Sequence, residues 1–146
     1  MACNQRLKNA HYKSTQSAYN NATQTMPATA TPVNVLGVLA TDTGCSIDTN
    51  TGGFTIECSG LYRISYDVTF TATAAGTETL QGLKDTMELP CMTAQATAAA
   101  SDTVTLHAET VLYIPACCGS TPTISAVLSG VAGTVTHVCA SVVKLA

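Results

Sequence analysis

Tryptophan is absent from the 146 residues, and phenylalanine occurs only twice. A hydrophobic core must therefore rest on five tyrosines and on aliphatic side chains. Charge is also scarce: Asp, Glu, Lys and Arg make up 10% of the chain, against about 25% in an average soluble domain. A surface so poor in charge points to faces covered by partners. Long charged helical stretches are missing, which argues against α-helical and α/β folds. No apolar run approaches the ~20 residues that a membrane-spanning helix needs. Gly-rich phosphate loops are missing, and so are basic residues interleaved with stacking aromatics. Nucleotide-binding and nucleic-acid-binding readings lose their usual support.

Acid is missing from the start of the chain, where every residue before Asp42 is neutral or basic. Arg6, Lys8 and Lys13 give the first thirteen residues a charge of +3. Arg63, Lys84 and Lys144 set against nine acids leave the rest at 3 − 9 = −6. A basic segment on an acidic body suits docking on something acidic. Three dispersed charges are a small footprint for nucleic acid, so no nucleic-acid partner is expected. Met1-Ala2-Cys3-Asn4-Gln5-Arg6 is polar where a secretory leader would be apolar. The seven cysteines are an odd number. They are expected to be mostly buried free thiols made in a reducing cytoplasm.

What the chain does have is period two. After Ser59-Gly60, Tyr62, Ile64, Tyr66, Val68 and Phe70 alternate with Leu61, Arg63, Ser65, Asp67 and Thr69. This pattern predicts a long strand with an aromatic and β-branched buried face. Phe54–Cys58 reads as a short strand before it, entered from the Asn50-Thr51-Gly52-Gly53 turn. Val104, Leu106, Ala108, Thr110 and Leu112 alternate with His107, Glu109, Val111 and Tyr113 in a second long strand over Asp102–Ile114. Shorter strands are predicted over Val33–Ala40 (buried), Cys45–Asp48, Thr77–Leu83, Thr123–Leu128 and Thr134–Leu145. Met87–Leu89 and Thr93–Ala98 are weakly patterned around Pro90. Residues 1–32 are polar and read as an extended N-terminal arm that orders on a partner. The count favours an all-β sandwich of about ten antiparallel strands over residues 33–146.

The segment Gly60-Leu61-Tyr62-Arg63-Ile64-Ser65-Tyr66-Asp67-Val68 resembles the signature strand of tumour-necrosis-factor-like jelly rolls. That superfamily includes the globular head of the first complement component and the C-terminal domain of spore-coat collagen-like glycoproteins. Leu80-Gln81-Gly82-Leu83 and the closing Ala140-Ser141-Val142-Val143-Lys144-Leu145-Ala146 are similar to further strands of it. The resemblance implies a ten-strand jelly roll and a homotrimer. No Gly-X-Y stalk precedes the domain, and the receptor-binding and calcium residues of animal members have no counterpart here. In layout the chain resembles phage head-fibre and capsid-decoration proteins. By that resemblance it is a virion protein assembled in the cytoplasm of a bacterial host. Residues 1–32 would hold it to the major capsid protein or another virion protein, and host-surface glycans are a further partner. The alternative is a carbohydrate- or receptor-binding module of a tail, spore or cell surface. A small hydrolase is a third reading.

Candidate chemistry is thin. Asp42-Thr43-Gly44 copies an aspartic-protease triplet, but that chemistry needs a second carboxylate, and a turn is the better reading. Cys117-Cys118 lacks the spacer of a metal pair. His107 and His137 sit at alternate strand positions, suited to a subunit interface or, by three-fold repetition, a shared metal site. Cys45 and Cys58 flank the candidate hairpin, where a disulfide would need Cα atoms within about 7 Å. Asn21-Ala22-Thr23 matches the glycosylation pattern by coincidence. No catalytic residue, cofactor or metal ligand is assigned, and no enzyme activity is expected.

Overall fold

The computed structural model describes residues 14–44, 46–116 and 121–146. These residues form twelve strands. In chain order they are β1 (Thr15–Asn20), β2 (Gln24–Met26), β3 (Thr31–Pro32), β4 (Val38–Thr43), β5 (Ile47–Asn50) and β6 (Gly53–Ile56). The remaining six are β7 (Gly60–Ala72), β8 (Gly76–Lys84), β9 (Met87–Ala98), β10 (Thr103–Ile114), β11 (Thr123–Ser129) and β12 (Gly133–Lys144). They pair into two antiparallel sheets. The first runs β10-β7-β12-β1-β4, with β2 also on β12. The second runs β5-β6-β11-β8-β9, with β3 also on β11. Face to face they form a jelly-roll sandwich. The edges β9 and β10 lie together and close one side.

The predicted spine is β7, which lies between the edge strand β10 and β12 in the first sheet. Tyr62, Ile64, Tyr66, Val68 and Phe70 are fully buried, while their alternates face outward. Phe54 of the opposite sheet meets the Tyr66 ring edge-on, with centroids 6.3 Å apart. Leu106, Ile124, Leu128, Val135, Val138 and Val142 complete that layer. Tyr62 satisfies its hydroxyl on the Cys58 carbonyl at 2.6 Å. One backbone position here demands glycine. Gly53 has φ +139, and a Cβ there would collide with the Ile124 carbonyl oxygen.

Three expectations need correction. The arm predicted over residues 1–32 does not extend to residue 32, because Thr15–Pro32 supplies β1, β2 and β3. β1 is paired along its whole length with β12. Its inward positions are Gln16, Ala18 and Asn20, so no apolar alternation marks it as a strand. Tertiary partners satisfy those amides. Gln16 Nε2 donates to Asp42 Oδ1 at 2.6 Å, and Asn20 Nδ2 donates to the Asn34 carbonyl at 3.1 Å. Residues 1–13 lie outside the described residues.

Second, Val33–Ala40 is not one buried strand. Val33 and Val35 enter the core. The Asn34 side chain then accepts the Leu36 N–H and turns the backbone. The strand that follows, β4, is exposed at all six positions.

Third, Met87–Ala98 is a single strand despite Pro90. β9 is an edge strand, where a missing N–H is tolerated.

Candidate binding surface

The outward face of the first sheet displays the histidines singled out from sequence beside exposed apolar side chains. Register places them in rows. Tyr113 stands opposite Leu61, and Val111 opposite Arg63, which is opposite Val143 on its other side. Leu145 lies next to this corner, its N–H bonded to the Leu61 carbonyl at 2.7 Å. Tyr113 is 62% exposed and Val111 50%. A corner that is apolar apart from Arg63, on an otherwise polar sheet, is a marker of association.

The other half of the face is polar and internally paired. His107 Nδ1 lies 2.7 Å from Asp67 Oδ1 across β10 and β7. Ser65 and Ser141 hydroxyls meet at 2.8 Å across β7 and β12. His137 Nδ1 lies 2.5 Å from Asn21 Oδ1, and its ring rests 6.5 Å from that of Tyr19. Cys139 stands opposite Asp67 on the β12 side. Burial pushes its thiol above the ordinary range, and the Asp67 carboxylate adds to that.

The two histidines singled out from sequence therefore share one face but flank β7, each with its own partner. Among the described residues no three His, Cys, Asp or Glu side chains group as metal ligands would. Cys45 and Cys117-Cys118 lie outside the described residues. Asp42 is the penultimate residue of β4 rather than part of a turn; the bend follows at Gly44, with φ +78. Its described hydrogen-bond partner is Gln16, not a second carboxylate. Asn21 serves the His137 contact.

One buried group escaped sequence reasoning. Glu78 on β8 is fully buried at one end of the sandwich. Its Oε2 accepts the Val131 N–H at 2.7 Å, and its Oε1 has no partner among the described residues. Burial pushes its carboxyl above the ordinary range, and the Val131 bond offsets only part of that. Alternation places Glu78 in line with inward Leu80, so the signal was present in an acid at an apolar position.

No family model and no curated protein sequence matches this chain. Solved structures do. The PRD1 vertex protein P5 is similar over 91% of this chain and 97% of its own, with 13% identity and a TM-score of 0.69. Eiger TNF from S. frugiperda covers 92% of each chain at 10% identity and a TM-score of 0.68. The globular domain of zebrafish complement 1qA covers 92% of this chain and 98% of its own, at 12% identity and a TM-score of 0.67. The chain has the jelly-roll fold of the tumour-necrosis-factor-like and complement-head-like proteins. Identities this low carry the architecture and leave function to be argued from the surface.

Proposed function

We propose that this chain is a non-enzymatic structural protein of a virion surface: a homotrimer built on the jelly roll and tethered through its basic N-terminal segment. The observation that carries the trimer is the largely apolar corner in which Leu61, Val111, Tyr113 and Val143 surround the single charge of Arg63. Side chains of this size on one sheet face gain about 25 cal/mol for each Å² of apolar surface removed from water. Closed symmetry lets three copies cover the same patch without leaving one open. The vertex-protein neighbour and the low charge content support placement on a particle. Once Thr15–Pro32 is assigned to the sheets, the tether reduces to residues 1–13. Its chemistry suits an acidic acceptor, for which the major capsid protein or another virion protein is the first candidate. Assembly in a bacterial cytoplasm belongs to the same reading.

Native mass spectrometry of the full chain, with and without reductant, tests the stoichiometry. A three-copy species without covalent linkage is expected, and a stable monomer overturns the trimer.

A carbohydrate-binding module is the second reading, favoured by the outward face of the second sheet. Thr77 and Thr97 hydroxyls lie 3.3 Å apart, Gln95 Nε2 donates to Thr79 at 3.2 Å, and Thr93 donates to Gln81 at 2.6 Å. Those six positions form an uncharged array of hydroxyls and amides. Saturable binding of one sugar class on a glycan array would favour this reading over the virion one.

A further inference from the structure

On the side of the sandwich opposite the β9/β10 seam, no strand pairing joins the two sheets among the described residues. That side is bounded by β4 at the edge of the first sheet and β5 at the edge of the second. β4 pairs only with β1, so one row of its backbone N–H and C=O groups has no strand beside it among the described residues. Both of its faces are exposed, and it carries Val38 at 49% and Leu39 at 46% exposure, with Leu36 just ahead. Among the described residues, polar side chains bridge the gap beneath it. Gln16 Nε2 donates to Asp42, and the Thr49 hydroxyl of β5 donates to Gln16 Oε1. An apolar edge of this length is a template for one more strand.

Among the described residues the strands on this side carry charge of one sign. β1, β4, β5 and β6 contain Asp42 and Asp48 and no Lys or Arg. The oppositely charged segment of the same chain is residues 1–13, with Arg6, Lys8 and Lys13 and no acid. Arg6 and Lys8 lie two residues apart and share a face when extended. Ser14, the residue that follows the segment, lies on this side. Ser14 Oγ accepts the Ser46 N–H at 3.1 Å, and Ser14 lies against Gly44 at the end of β4.

We propose that residues 1–13 of one copy add as an extended strand to the β4 edge of a neighbouring copy. The inference rests on the tether reading of that segment and names its acceptor. Length permits the exchange: thirteen extended residues span up to about 43 Å at ~3.3 Å each. Six of them match β4, and the other seven bridge between copies. Direction favours a neighbour over the same copy. A segment running back from Ser14 around Gly44 would lie parallel to β4, the weaker ladder, whereas a neighbour's segment is free to enter antiparallel.

The test uses the full chain. A carbodiimide joins amines to carboxylates at zero length, and the products are separated on a denaturing gel and mapped by mass spectrometry. Lys8 joined to Asp42 or Asp48 is expected in the two-copy band and not in the single-copy band. Hydrogen exchange of the Val38–Thr43 amides is expected to quicken at least ten-fold in the double variant Arg6→Glu, Lys8→Glu. Those substitutions fall in none of the twelve described strands, and the unchanged melting temperature expected of the variant separates docking from folding. Unchanged exchange at β4, or a Lys8 link confined to the single-copy band, overturns the proposal. If deleting residues 2–13 abolishes particle attachment while the full chain gives no Lys8 link between copies, the tether stands and this acceptor falls.

Discussion

Glu78 Oε2 accepts the backbone N–H of Val131 at 2.7 Å, and the carboxyl's other oxygen is buried without a partner among the described residues. One side chain of β8 thus holds the β11–β12 connection to the end of the sandwich. Its ionisation is opposed by the burial that makes the contact possible.

This relationship sets a pH dependence. The unfolded chain releases the Glu78 proton near the ordinary value of about 4.3. The folded chain holds it to higher pH, because burial raises its carboxyl. Between those two values the unfolded state binds fewer protons, so stability falls as pH rises. The contribution is complete below the unfolded value and lost as pH passes the folded one. Glu78→Gln keeps an oxygen for the Val131 N–H and removes the titration. Thermal unfolding of the variant is expected at higher temperature than the wild type at neutral pH, with the gap closing toward pH 4 (about the unfolded value). Parallel melting curves across pH would show that Glu78 is not the group responsible.

Tyr66 separates two contributions of one side chain. Its ring packs against Phe54, and its hydroxyl is buried with no partner among the described residues. Burial holds the phenol well above its ordinary titration range. Tyr66→Phe removes an unsatisfied group of a kind that costs about 1–3 kcal/mol, and is expected to be neutral or stabilising. Tyr66→Ala empties the centre of the core and is expected to cost about 3–5 kcal/mol. Chemical denaturation measures both. A clear loss on Tyr66→Phe would reveal a partner for the hydroxyl, such as an internal water.

The corner at Tyr113 and Val111 separates folding from assembly. Both side chains are exposed in one copy, so Tyr113→Glu and Val111→Lys are expected to shift its own stability by less than about 1 kcal/mol. Sedimentation is expected to move from three copies to one in the double variant. A variant that stays trimeric would place the contact on another face.

Gly53 is a local test of the β6 entry. With φ +139 and the Ile124 carbonyl against its Cα hydrogen side, it leaves no room for a Cβ. Gly53→Ala is expected to cost more than about 1 kcal/mol. Gly52→Ala, where the neighbouring atom is the Asn50 side-chain oxygen at 3.5 Å, is the control and is expected to cost less. Equal melting temperatures for the two would refute the strain argument.

The tether is tested by deletion. Removing residues 2–13 leaves Ser14 and all twelve strands in place. A trimer that no longer attaches to particles is the expected outcome. Undiminished attachment would remove the segment from the function.

Alternation alone determined the spine. Tyr62 to Phe70 and Val104 to Leu112 point inward every second residue because a strand has only two faces, and one of them must leave water. The same rule was silent for β1, whose inward Gln16 and Asn20 are satisfied by Asp42, Thr49 and Asn34, partners far along the chain. It was misleading for Val33–Ala40, where one Asn34 turn sends two valines inward and leaves the next strand outside. The histidines were legible as outward residues. That His107 faces Asp67 and His137 faces Asn21 depends on which strands become neighbours. Local pattern reports which way a side chain points; only the pairing of distant strands decides what it meets, because those contacts are made across the sheet and not along the chain.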